Sequence, residues 1–146
     1  MDSIFQTIFT TLRDDSALRA LVGTDGAARF HRSWPTQDIE VSAANPGYVI
    51  VALASDDGDD AGDGVAVDDM TFDVHMFARH RGFGQSRVIA IYNRVRALLN
   101  LKSFSTATWR VDNVHGAGSN LDLYDEETAC NHGVAFYKTG KIIPVT

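Results

Sequence analysis

"YVIVALASDDGDDAGDGVAVDDMTFDVHMFAR", residues 48–79, decides the fold. Its first seven residues are a continuous β-branched and apolar run of strand length, the pattern of a central strand buried on both faces. Its last ten, 70–79, alternate instead: Met70, Phe72, Val74 and Met76 fall on one side, Thr71, Asp73, His75 and Phe77 on the other, as in a half-buried strand. Between them the loop over 55–69 is polar and glycine-rich, and half of residues 56–69 are aspartate. A parallel crossover would normally hold a helix, so the two strands read as antiparallel neighbours joined by a long acidic hairpin loop.

Working outward, Ile4, Phe5, Ile8, Phe9 and Leu12 recur at helical spacing, with Ser3 and Gln6 as a capping-box pattern at the start. Asp14 and Asp15 interrupt that stripe. SALRALVG then reads as a short second helical turn with Leu18 and Leu21 inward and Gly23 as its stop. AARFHRS reads as briefly extended, and WPTQDIEVSAANPG, with two of the three prolines, as a loop.

Beyond residue 79, RHRGFGQS turns the chain into the clearest helix, SRVIAIYNRVRALLN, capped by Ser86. Val88, Ile91, Tyr92, Val95, Leu98 and Leu99 line one face of it, while Arg87 and Arg94 stand two turns apart on another. ATWRVDNV (107–114) and TACNHGVAFYK (128–138) read as strands, with HGAGSNLDLYDEE between them as a polar turn. The tail over 139–146 either extends the last strand or reaches a neighbour. The expectation is one α+β domain over 1–146, with a largely antiparallel or mixed sheet of four to five strands and its two helices on one face.

Composition bounds the function. A hydrophobic fraction of 45% with 22% charged residues is that of a globular protein with one core. The net charge of −6 argues against wrapping nucleic acid, which needs a basic patch to displace phosphate counterions. The single cysteine, Cys130, builds neither an internal disulfide nor a cysteine zinc site, and fits a reducing compartment. The first residues resemble no targeting peptide and no apolar run reaches membrane-spanning length, so the chain is expected in a cytoplasm, away from membranes.

Candidate chemistry is sparse. With Asp57 at position 1 of a calcium loop, Asp59, Gly62 and Asp68 fall at positions 3, 6 and 12. Ala61 then occupies position 5, an aspartate stands where a bidentate glutamate belongs, and the flanks read as strands. Asp57, Asp59, Asp63 and Asp68 are the metal candidates of this weak pattern; the other local reading is a solvated, self-repelling loop. The five histidines, His31, His75, His80, His115 and His132, form no zinc motif. Asp73 and His75 share a strand face, as do Cys130 and His132, which leaves a small hydrolase or a nucleophilic pair open beside a buried thiol with a hydrogen-bonded histidine. GFG (82–84) lacks the rest of a dinucleotide fingerprint, and no cofactor motif occurs. Arg79, His80, Arg81 and Arg87 are the local concentration of positive charge.

In order and spacing, DDSALRALVG, RFHRSWP, PGYVIV, MTFDVHMFAR, SRVIAIYNRVRALLN and HGVAFYK resemble the phage tail-terminator and tail-completion proteins, small neck components of the virion. That resemblance implies a non-enzymatic structural protein, assembled in the host cytoplasm as a homo-oligomeric ring of six. Such a ring sits on the last ring of the tail tube protein, stops its polymerisation and meets the head-side connector or stopper protein. DNA would cross the bore without specific binding, and an acidic lumen would limit its sticking. A head–tail stopper is the neighbouring reading; a calcium-dependent binding module is the rival of another class. Under the ring reading, Asp56, Asp57, Asp59, Asp60 and Asp63 are contact candidates for a neighbouring copy, and Arg79, Arg81, Arg87 and Arg94 are candidates on the other side of that contact.

Overall fold

The computed structural model describes residues 2–56 and 70–145. Its helices are α1 (Asp2–Arg13), α2 (Ser16–Val22) and α3 (Gly84–Leu99). Its strands are β1 (Phe30–His31), β2 (Gly47–Asp56), β3 (Met70–Arg79), β4 (Phe104–Ser105), β5 (Trp109–Val111), β6 (Val114–Asp125), β7 (Cys130–Thr139) and β8 (Ile142–Pro144). One sheet has the order β1-β2-β3-β7-β6, and a small second sheet the order β4-β5-β8. The first is antiparallel throughout except for the two-residue parallel pair β1–β2, so the α+β class with a mixed sheet stands.

The hairpin of residues 48–79 is present, from Gly47 opposite Ala78 to Asp56 opposite Met70, with an irregularity between Leu53 and Ser55. β3 shows the expected alternation: Met70, Phe72, Val74 and Met76 are buried beneath the helices. They meet Ile4, Ile8 and Leu12 of α1 and Val88, Ile91, Val95 and Leu99 of α3 in one continuous core. β2 is buried on both faces only as far as Val51. Val49 and Val51 join the main core, while Tyr48 and Ile50 join Phe77 and Cys130 in a second cluster roofed by Ile39 and Val41. Leu53 is already 43% exposed.

Several local expectations are corrected. The stretch read as a polar turn, 115–127, is mostly β6, a twelve-residue edge strand paired with β7 on one side. An edge strand open to water carries no apolar alternation to betray it. The strand read over 107–114 divides: Trp109–Val111 belongs to the small sheet, and Val114 opens β6. The C-terminal tail forms β8, antiparallel to β5 of its own chain. AARFHRS is a 3-10 turn over Gly26–Arg29 before the two extended residues of β1. The helix start read at Ser3 lies earlier: α1 already begins at Asp2, and the Gln6 amide donates to Thr10. Nor does Ser86 cap α3, whose N-cap is Phe83, without a side-chain hydrogen bond.

Asp15, read as an interruption, is the N-cap of α2 and accepts from the Leu18 amide at 3.0 Å. Gly23 ends that helix with φ 138°, as read.

Candidate functional site

β3 ends in the basic corner that the sequence singles out. Arg79 closes the strand, its amide donating to the Pro46 carbonyl, and His80 and Arg81 follow it at the surface. His80 Nδ1 pairs with Asn131 Oδ1 at 2.9 Å, and its ring meets the edge of Tyr124, which ties the corner to β7 and β6. The other two arginines are engaged within the chain. Arg87 donates to the Leu21 carbonyl at 2.8 Å, and Arg94 grips Asp15 through two hydrogen bonds of 2.6 and 2.9 Å. Of the corner's arginines Arg81 is exposed and Arg79 partly so, while Arg87 and Arg94 fasten α3 to α2.

Of the acidic candidates, Asp56 is the last residue of β2. Asp57, Asp59, Asp60, Asp63 and Asp68 lie outside the described residues. The register separates the two charged groups: Gly47 opposite Ala78 marks one end of the hairpin and Asp56 opposite Met70 the other, nine residues or about 30 Å apart at ~3.4 Å per residue.

The sheet face away from the helices holds the histidine chemistry. His75 Nδ1 and His132 Nε2 are 3.0 Å apart, and Phe77 stacks on His132 at 4.1 Å and on Tyr48 at 4.5 Å. Trp34, from the loop after β1, meets His75 edge-on at 4.6 Å. Burial pulls both imidazoles below the ordinary histidine range; His132, with His75 beside it as the second cause, falls to about 4. At neutral pH this is a neutral hydrogen-bonded pair. Asp73 reaches His75 Nε2 only at 4.0 Å, and burial pushes its carboxyl up. Cys130 is fully buried, its Sγ turned to the Thr128 carbonyl at 3.5 Å, and burial raises its thiol, so it is held as a thiol rather than a thiolate. Among the described residues no group of three or more histidine, cysteine, aspartate or glutamate side chains could hold a metal ion.

Two surface features escaped the sequence reading. Phe83, in the turn read as GFG, is 84% exposed. At the β1–β2 edge of the sheet, where β1 stops at His31 and β2 continues, a groove of about 420 Å³ is lined by Phe5, Arg32, Ser33, Trp34, Ala52 and Leu53. An aromatic next to two glycines was visible as a turn, but only the fold shows that nothing covers it.

The model of the family described as tail completion protein gp17 matches residues 6–139. No curated protein matches the chain. Among solved structures, it resembles a chain from the virion of a native gene transfer agent particle, with 18% identity and a TM-score of 0.66 over 95% of this chain and 94% of that one. At that identity the likeness speaks for the fold.

Proposed function

The chain belongs to the tail completion protein gp17 family and is a structural tail protein, and on that premise we propose that it closes the end of a phage-type tail tube as a homo-oligomeric ring. The ring ends tube polymerisation and presents its other face to the head-side connector or stopper. It works by stoichiometric binding rather than catalysis, in a virion put together in the host cytoplasm, with DNA passing through the bore unread. The observation that carries the reading is the family match across nearly the whole fold.

The charge layout supports it. Arg79 and Arg81 stand at one end of the β2–β3 hairpin, and the aspartate run leaves β2 from Asp56 at the other. One copy's basic corner therefore meets an acidic run most directly on its neighbour, a contact between unlike surfaces that closes into a ring where the rotation permits. Native mass of the full chain over a concentration series tests the ring, with a closed species near six copies expected both with calcium and with EDTA. A species that forms only with calcium would make the aspartate run a metal site instead. Arg79→Glu with Arg81→Glu should weaken assembly, and reversing Asp56, Asp57, Asp59, Asp60 and Asp63 to lysine should partly restore it; assembly unmoved by either set removes the charge contact.

A further inference from the structure

The turn between β3 and α3 puts a bulky ring where neither packing nor backbone preference calls for one. Phe83 has φ 65° and ψ 48°, the left-handed region in which Cβ crowds the following carbonyl; aromatic residues are rarely found there, and glycine or asparagine fits better. On its inner side the turn is pressed against the sheet. A Cβ on Gly84 would come within 2.6 Å of the Arg79 carbonyl oxygen and 2.5 Å of Asn131 Oδ1, so position 84 must be glycine and the chain turns tightly there. Gly82, at φ 88°, has nothing within 4 Å of the same point. The turn thus holds Phe83 outward, strained and uncovered, and such outliers point toward a contact that repays them.

The groove at the outer edge of β2 has the complementary character. Trp34 is 54% and Leu53 43% exposed, Phe5 and Ala52 complete the apolar part of the lining, and Arg32, its guanidinium 5.1 Å over the Phe5 ring, and Ser33 supply the rest. Exposed aromatic and aliphatic side chains around a concavity are the usual anchor points of a protein contact. Knob and groove cannot meet within one copy. Leu53 pairs with Phe72, seven residues before Arg79, which is about 24 Å along the strand at ~3.4 Å per residue. Phe83 also lies toward the β7–β6 side, beside His80 and Asn131, whereas the groove opens on the β1–β2 side.

We propose that Phe83 of one copy seats in the Phe5–Trp34–Leu53 groove of the next, and that this head-to-tail contact is the repeating joint of the ring; it rests on the ring reading above. Charge selects a second copy as the occupant. Arg79 and Arg81 precede the knob by four and two residues in the chain, and β2 leaves the groove at Asp56, where the aspartate run begins in the sequence. Seating the knob brings the two arginines to the side of the neighbour from which that run departs. Two unlike patches at separate places on the fold make a heterologous joint, which closes as a ring or continues as a filament.

Single-cysteine chemistry on the full chain tests this, because the native Cys130 is fully buried. Phe83→Cys mixed with Leu53→Cys, under mild oxidation, should link at least tenfold faster than Phe83→Cys mixed with Ile89→Cys, an equally exposed control on α3. Equal rates, or faster linkage of Phe83→Cys to itself, would overturn the joint. Phe83→Asn should lose the wild-type oligomer without losing its fold; an unchanged oligomer would place the partner of Phe83 outside this chain and overturn the joint as well. The native mass of the wild type, read in parallel, separates the two claims. An oligomer without selective linkage discards the joint and leaves the ring, whereas a monomer without linkage at every concentration discards both.

Discussion

Arg94 of α3 clasps Asp15, the residue that caps α2, through hydrogen bonds of 2.9 Å from Nε and 2.6 Å from Nη2. One carboxylate therefore serves the Leu18 amide and a bidentate guanidinium together, and the Arg94 hydrogen bond is the main reason its carboxyl sits below the ordinary aspartate range. Asp15→Ala removes cap and clasp at once and should destabilise the chain by about 1–2 kcal/mol in urea unfolding. Arg94→Ala leaves the cap in place and should cost less. In the Arg94→Ala background Asp15→Ala should lose only the cap, so the double mutant falls short of the sum of the singles. Strict additivity would show that the clasp contributes nothing. Because the arginine is spent inside the chain, Arg94→Ala should also disturb assembly less than Arg79→Ala.

Gly133 of β7 lies directly under α3. A Cβ there would approach Val88 Cγ1 to 2.6 Å, Leu121 Cδ2 to 3.2 Å and Met76 Cε to 3.4 Å. The methionine can move, but the valine is branched and fully buried on the helix. Gly133→Ala should therefore cost about 1–3 kcal/mol by overpacking, seen as a lower urea midpoint with an unchanged slope. The combination with Val88→Ala opens the space and should recover part of that loss; no recovery would mean the strain lies elsewhere.

The contrast between what could and could not be read follows from where side chains find water. The β2–β3 hairpin and α3 were legible because each has a buried face, which forces period-two or helical spacing on Met70–Met76 and Val88–Leu99. β6 was not, because almost all of it is exposed, and its glycines, asparagine and aspartates look like a turn. The small sheet is built of strands two or three residues long, shorter than any period can register. At the surface the limit is different. Asp73 and His75 were placed on one face by alternation, yet the closer partner of His75 is His132, 57 residues away, brought alongside only by the pairing of Phe77 with His132. Arg94 looked like a free surface charge because its acceptor, Asp15, looked like an interruption.

Phe83 separates stability from function. Asparagine tolerates the left-handed backbone far better than phenylalanine and leaves Gly82 and Gly84 to make the same turn. Since the ring is 84% exposed, its removal opens no cavity. Phe83→Asn should leave the thermal midpoint of the isolated chain unchanged or raise its stability by up to about 1 kcal/mol. A loss larger than that would mean the ring is packed in solution, contrary to its exposure here.

The His75–His132 pair predicts how stability depends on acid. Both imidazoles are held below their unfolded value near 6.5, His132 at about 4. Above pH 6.5 they are neutral in the folded and unfolded chain and set no slope. As pH falls from 6.5 toward 4 the unfolded chain takes up protons that the folded chain refuses, so stability declines across that window and levels below it. The surrounding charges adjust the size rather than the sign. Asp125 pulls His132 upward, and the raised carboxyl of Asp73 adds a smaller opposite trend at the acid end, since it binds its proton more readily when folded. Tyr48 and Cys130, both raised by burial, stay protonated throughout. The loss should be on the order of 2 kcal/mol between pH 7 and pH 4.5, discounted for the partial exposure of the rings. His132→Gln keeps an amide to hydrogen-bond His75 while removing one titrating group, so its urea midpoint should fall less steeply over the same range. A wild-type midpoint that is flat or rises from pH 7 to 4.5, or a His132→Gln profile parallel to it, would show that the pair is not held neutral by the fold.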